Sequence, residues 1–326
     1  MSEQLNYTQL FPSLPWEKIM TTAQGNGELS HAYILFSKDS EFCDEFFRHR
    51  VRLLQSDCGD CGVCRSCVSV FANTSPDFFT FPNGKYTVED AEKIISECYL
   101  KPFEFSCKTF LLRDFDEASP AVQNKLLKVI EEPPKNVYFF ITAKIFDMVL
   151  PTIRSRAVKF FLKDFEADEI FSELSKVFSD KSRAKLASIL AMGRISKGAE
   201  LYESGNLEEM ATDAITLACK TKTSKDLLSS KQITDKYKAG AEEFLYLLQI
   251  VYRDILMTKT ELSKLVFFES QVGLYKKIEN EFSQGALCEI ANVISSKIEE
   301  LTHGANGEGV LDTALLKIVE VKNIWQ

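Results

Sequence analysis

Four short apolar runs mark the first half of the chain: Tyr33-Ile-Leu-Phe36, Thr109-Phe-Leu-Leu112, Val137 to Thr142, and Val158-Lys-Phe-Phe161. Continuous apolar runs, as opposed to alternating ones, fit strands buried on both faces, and their separation by helical segments predicts a parallel sheet covered by helices. The clearest helix falls between the second and third runs. Ser119 is placed as its N-cap and Pro120 at its first position. Val122, Leu126, Val129 and Ile130 then form one apolar stripe facing the sheet, and Pro133-Pro134 forces the stop.

After residue 165 the pattern turns helical, with almost no strand signal. Two amphipathic helices are expected over 168–178 and 183–192, with breaks near Gly193 and Gly198, and a third over 207–220. Thr221-Lys-Thr-Ser-Lys225 is polar and reads as a linker. Further helices are expected over about 241–258, 260–279, 285–303 and 310–324, the last two separated by the glycine-rich His303–Gly309.

A chain of 326 residues with 45% hydrophobic and 11% aromatic content can build two or three packed domains. It has no long uninterrupted apolar stretch, and its start, with Glu3 and no basic segment, lacks a secretory signal. A cytoplasmic protein without membrane association is expected. The formal charge of −8 argues against autonomous binding to phosphate backbones, so any contact with nucleic acid requires a local patch. Lys125 and Lys128 lie opposite the apolar stripe, where solvated charge is the simplest account.

Nine cysteines in a reducing compartment serve as small buried hydrophobes or metal ligands. Four are clustered as Cys58-Gly-Asp-Cys61-Gly-Val-Cys64-Arg-Ser-Cys67, a soft ligand set suited to tetrahedral Zn2+. An iron–sulfur cluster and an unmetallated turn are the alternatives. Cys43, Cys98, Cys107, Cys219 and Cys288 are expected as core or surface residues. The three histidines, His31, His49 and His303, show no catalytic spacing, and His31 reads as structural.

The run Asp114 to Pro134, with Asn124-Lys-Leu-Leu-Lys and Glu131-Glu-Pro-Pro134, and the segment Pro151-Thr-Ile-Arg-Ser-Arg156 resemble the AAA+ subunits of the bacterial DNA polymerase III clamp loader. The resemblance covers about residues 10–200. It implies a RecA-like AAA+ α/β domain with a parallel sheet over 1–165, carrying a zinc module at about 56–70. A small helical lid domain over 166–220 and an all-α collar oligomerisation domain over 221–326 would follow. In that family Ser155-Arg156 would carry an arginine finger acting in trans on a neighbour's ATP, with Ala157 replacing the usual cysteine. Cys61, Cys64 and Cys67 match the last three zinc ligands. Arg52 stands where the first is usual, so Cys58 is expected to substitute.

The companion phosphate loop departs from the pattern. After His31-Ala-Tyr33, Ser37 and Phe42 stand where the glycines of G-x-x-x-x-G-K-[ST] belong, Cys43 replaces the lysine and Asp44 the hydroxyl residue. Arg113 falls at the first acidic position and Asp114 at the second; a register slipped by three would bring in Asp116 and Glu117. Ser196 stands at the second sensor position, with Arg194 nearby, and Thr142 at the first. The resemblance therefore implies a non-hydrolysing subunit that binds no ATP itself. Its partners would be the tau/gamma and delta subunits, and through the complex the sliding clamp and primer-template DNA. An ATP-hydrolysing tau/gamma-type subunit and a cysteine-cluster redox protein are the rival expectations.

Overall fold

The structure is a computed structural model describing residues 7–325 apart from 57, 83, 222 and 303. Glu3 and His303 therefore lie outside the described residues. Contacts divide the chain into two compact units, Met1–Glu200 and Leu201–Gln326.

The first unit is built on five strands, β1 (Ala32–Phe36), β2 (Phe78–Phe81), β3 (Lys108–Leu112), β4 (Val137–Ala143) and β5 (Val158–Phe161). They pair in the order β2-β3-β4-β1-β5, every pair parallel. Four match the apolar runs. The fifth, β2, lies at an edge, and its short Phe-Phe-Thr-Phe run between Pro76 and Pro82 gave no strand signal. One expectation is corrected: Val158–Phe161 is an edge strand with only Phe160 buried, not a strand covered on both faces.

Helices α1 (Pro15–Gly25), α2 (Ser40–Gln55), α3 (Arg65–Phe71), α4 (Val88–Cys98), α5 (Pro120–Glu131) and the short α6 (Pro151–Arg154) accompany the sheet. Ser119 caps α5 by accepting the Val122 N–H, and Val122, Leu126, Val129 and Ile130 pack with Ile34, Phe110, Phe139 and Ile141 in one core. Burying such side chains stabilises by about 1.5–3 kcal/mol each. On the other face Tyr33, Phe47, Phe140 and Phe160 stack, with ring centroids 5.0 to 6.1 Å apart.

Helices α7 (Ala167–Val177), α8 (Lys181–Leu190) and α9 (Ile195–Glu203) follow. The break at Gly193 is present, with φ +81° and Asp164 so close that a Cβ would lie 2.5 Å from that residue's own Cβ. The break expected at Gly198 is not: α9 runs through it, because the missing side chain lets the helix pack against Ile170, 2.9 Å from where a Cβ would stand.

The second unit is helical: α10 (Leu207–Lys220), α11 (Ser224–Lys236), α12 (Ala241–Lys259), α13 (Val272–Ile278), α14 (Gln284–Thr302) and α15 (Gly307–Ile324). Its core centres on α12, whose Phe244, Leu248, Val251 and Ile255 are fully buried. Two expectations change. The polar 221–225 stretch is the start of a helix, since Thr223 and Asp226 form a reciprocal capping box; Lys222 lies outside the described residues. The single helix expected over 260–279 is instead a broken segment that reaches only α13. There Glu261 adopts φ 61°, and the buried Asp254 carboxylate accepts the N–H groups of Phe267 and Phe268 at 3.0 and 2.9 Å.

Candidate functional site

A parallel sheet gathers the loops that follow its strands at one edge, where α/β proteins place ligands. Here the connection from β1 to α2 is only Ser37, Lys38 and Asp39. No loop remains for backbone amides to wrap a phosphate. Asp39 is the N-cap of α2: its Oδ1 accepts the Phe42 N–H at 3.2 Å, and its own N–H donates to Ser37 Oγ at 2.9 Å. The same carboxylate accepts the Ser196 N–H at 3.0 Å and the Ser196 hydroxyl. A helix N-terminus attracts anions. At α2 that anion is a side chain of the chain itself, tied to Ser196.

Phe42 turns into the core, edge-on to Tyr7, Phe11 and Phe165 at 5.3 to 5.6 Å. Cys43 is buried, and burial pushes its thiol well above the ordinary range. Lys38 stays exposed, 3.7 Å from Asp164.

Asp44 and Arg113 meet directly, Arg113 Nε donating to Asp44 Oδ2. The hydroxyl of Thr142 donates to Asp44 Oδ1 at 3.2 Å and accepts the Asp114 N–H at 3.0 Å. Burial lifts the Asp44 carboxyl to about 6, the Arg113 guanidinium opposing the rise. Asp114 has φ 44°; its carboxylate accepts from Ser40 Oγ at 2.6 Å and pairs with Lys144 at 3.2 Å. Asp116 is committed elsewhere, accepting the N–H groups of Lys144 and Ile145 at 3.0 Å each. Glu117 faces Lys144 at 3.4 Å.

Arg156 follows α6. Its Nη1 donates to the Thr152 carbonyl at 3.0 Å and to Ser155 Oγ at 3.3 Å, and its Nη2 pairs with Glu131 at 2.6 Å. Nε–H makes no hydrogen bond. The side chain is 35% exposed. Arg154, by contrast, lies 3.8 Å over the Phe146 ring and pairs with Asp147 at 3.3 Å. The α5 residue Gln123, buried and unnoticed in the sequence, donates to the Met148 carbonyl at 2.9 Å and accepts the Leu150 N–H at 2.9 Å.

The four cysteines form a knot whose sulfurs all lie within 4.8 Å of one another. Cys58 joins it, 3.4 Å from Cys64 and 3.6 Å from Cys67. Zinc–thiolate bonds of about 2.3 Å place sulfurs roughly 3.8 Å apart in a tetrahedron, so the spacing fits a metal ion. The N–H groups of Cys61, Cys64 and Cys67 point at the preceding cysteine sulfurs at 3.3 to 3.5 Å. The tight wrapping requires positive φ at Gly59, Asp60 and Gly62. Arg52 holds the knot from beneath. It is fully buried, grips Asp60 through Nε at 2.6 Å and Nη2 at 3.1 Å, pairs with Glu45 at 3.0 Å and lies 4.1 Å from the Phe71 ring. His49 Nδ1 sits 2.5 Å from Asp60 Oδ2, a structural place for that histidine. Neither Asp39 nor Asp60 carries a sequence signal of its role, since each depends on a partner distant in the chain or on an unusual turn.

The parallel sheet, its order and the helices after it define a AAA+-type α/β module followed by a mostly helical part. Residues 15–166 match the family described as "DNA polymerase III, delta subunit". The DNA polymerase III subunit gamma/tau of Mycoplasma pneumoniae is 25% identical over 265 residues, covering 72% of this chain and 38% of that protein. The gamma/tau subunit of Mycobacterium tuberculosis is 30% identical over 146 residues, 42% of this chain and 25% of that protein. The chain thus spans well under half the length of these two relatives. Among solved structures, a DNA polymerase III gamma subunit-related protein from Thermotoga maritima aligns over 93% of this chain and 99% of its own, with TM-score 0.49 and 17% identity. The α/β module is thus similar in sequence to DNA polymerase III delta- and gamma/tau-type subunits. Among the described residues no helix is long and apolar enough to cross a membrane.

Proposed function

We propose that this chain is the non-hydrolysing, delta-prime-type subunit of a bacterial DNA polymerase III clamp loader, which helps to load the sliding clamp onto primed DNA. The observation that carries the proposal is the self-filled pocket. Asp39 takes the anion's place at the α2 N-terminus, and the Asp44–Arg113 pair joins a carboxylate and a cation where a hydroxyl and a magnesium-binding acid would serve. A phosphate there would meet Asp39, Asp44 and Asp114, with Cys43 in place of the loop lysine and the nearby cations Arg113 and Lys144 already paired with Asp44 and Asp114. Delta-prime-type chemistry needs only an arginine presented outward, and Arg156 is partly exposed and half-tethered beside α5.

In this reading Arg156 stabilises charge developing on the phosphoryl group of a neighbouring tau/gamma subunit's ATP. Ser155 accepts from its guanidinium and helps fix it. The residues 166–220 serve as a lid and 221–326 as a collar that assembles with tau/gamma and delta. Cys58, Cys61, Cys64 and Cys67 would hold a structural Zn2+, which closes the knot and leaves no open position for catalysis.

The gamma/tau names of the relatives favour a second reading, a hydrolysing gamma/tau-type subunit. Reconstitution with cognate tau/gamma and delta subunits separates the two. The Arg156→Ala complex should assemble but lose roughly 10³-fold or more of its DNA-stimulated ATP turnover. Hydrolysis by the isolated chain would favour the second reading.

A further inference from the structure

We infer that Glu131 is a positioning residue for Arg156, holding the guanidinium in the attitude in which it meets a partner's nucleotide; the inference rests on Arg156 acting in trans. One helix fixes the finger segment at two points. Near the start of α5, Gln123 grips the backbone at Met148 and Leu150, just before α6. At its last residue, Glu131 holds Nη2 of Arg156 at 2.6 Å. Between them Pro151 starts a four-residue helix whose Thr152 carbonyl accepts both the Ser155 hydroxyl and Nη1 of Arg156, each at 3.0 Å.

An arginine on this rim without Glu131 would swing about its stem and lose rotamer freedom on each engagement. The carboxylate removes part of that cost beforehand. It takes only one guanidinium nitrogen, and Nε–H makes no hydrogen bond. Nε–H is buried, so an incoming phosphoryl oxygen would meet the guanidinium through the second Nη2 hydrogen, as a charge-assisted hydrogen bond. Arg154 cannot share the task because Phe146 and Asp147 hold it.

The test uses the complex reconstituted from full-length subunits with Mg-ATP and primed DNA, comparing Glu131→Ala, Glu131→Gln and Arg156→Ala. Glu131→Ala should lower kcat by about ten- to a hundredfold with KM for ATP unchanged, because a misplaced group costs turnover and not ground-state binding. Glu131→Gln, which keeps the acceptor oxygen, should recover most of the rate. Thermal midpoints of both isolated Glu131 variants should match the parent, since Glu131 is 44% exposed. If Arg156→Ala impairs turnover while Glu131→Ala leaves kcat unchanged or raises it, the inference fails and the finger stands. If Arg156→Ala has no effect, the finger assignment itself fails.

Discussion

At the scale of single residues, Asp44 and Arg113 show why paired substitutions matter more than isolated ones. Read along the chain, each is a defect at a separate position; in the fold Arg113 donates to Asp44, and Thr142 adds a hydrogen bond to the carboxylate at 3.2 Å. Position by position the sequence shows what each residue cannot do, while the pairing needs helix α2 laid against the end of β3. Arg113→Ala leaves a largely buried carboxylate without its cation. Because Arg113 is 44% exposed, water makes up part of the loss, and urea unfolding should show a cost of about 1–3 kcal/mol. The Asp44 carboxyl titrates at about 6, above its usual 3.8. Its contribution to stability is therefore full below about pH 4 and is lost as pH rises through 6. Asp44→Asn does not titrate, so its stability relative to the parent should improve by up to about 3 kcal/mol between pH 4 and 7.5. A gap moving the other way with pH would mean that the ion pair, not burial, governs this site.

Elements were legible to the extent that local pattern decides them. The α5 helix showed its cap, stripe and stop in the sequence, and the structure agrees because all three act within one helix. The β2 strand, the unbroken α9 and the capped α11 were missed because an edge position, close packing at Gly198 and a capping box outweigh composition. The cysteine knot lies between these cases: its four cysteines were visible, while its support by Arg52 was not. Purified protein should carry about one zinc per chain with no visible absorbance. Visible absorbance with iron would show the ligand set to be misread. Arg52→Ala should destabilise the α/β unit by about 3–5 kcal/mol, since Asp60 would keep its buried place without its main cation. For α9, Ser196→Ala should speed amide exchange over 193–200, because it removes the hydroxyl donor to Asp39.

At the scale of the whole molecule, the chain keeps a five-stranded parallel sheet and fills the corner between β1 and α2 with its own side chains. The sheet and its helical continuation were readable because each strand and helix has its own periodicity; the filling was not, because Asp39 and Ser196 meet across 157 positions. In the proposed function the chain contributes shape and an arginine to an assembly, while others bind the fuel. Calorimetric titration of the isolated, full-length chain with Mg-ATP tests this most directly. The account predicts no saturable heat up to millimolar nucleotide, a Kd weaker than about 1 mM. One-to-one binding with a micromolar Kd, abolished by substitutions at Asp39 or Asp44, would contradict it.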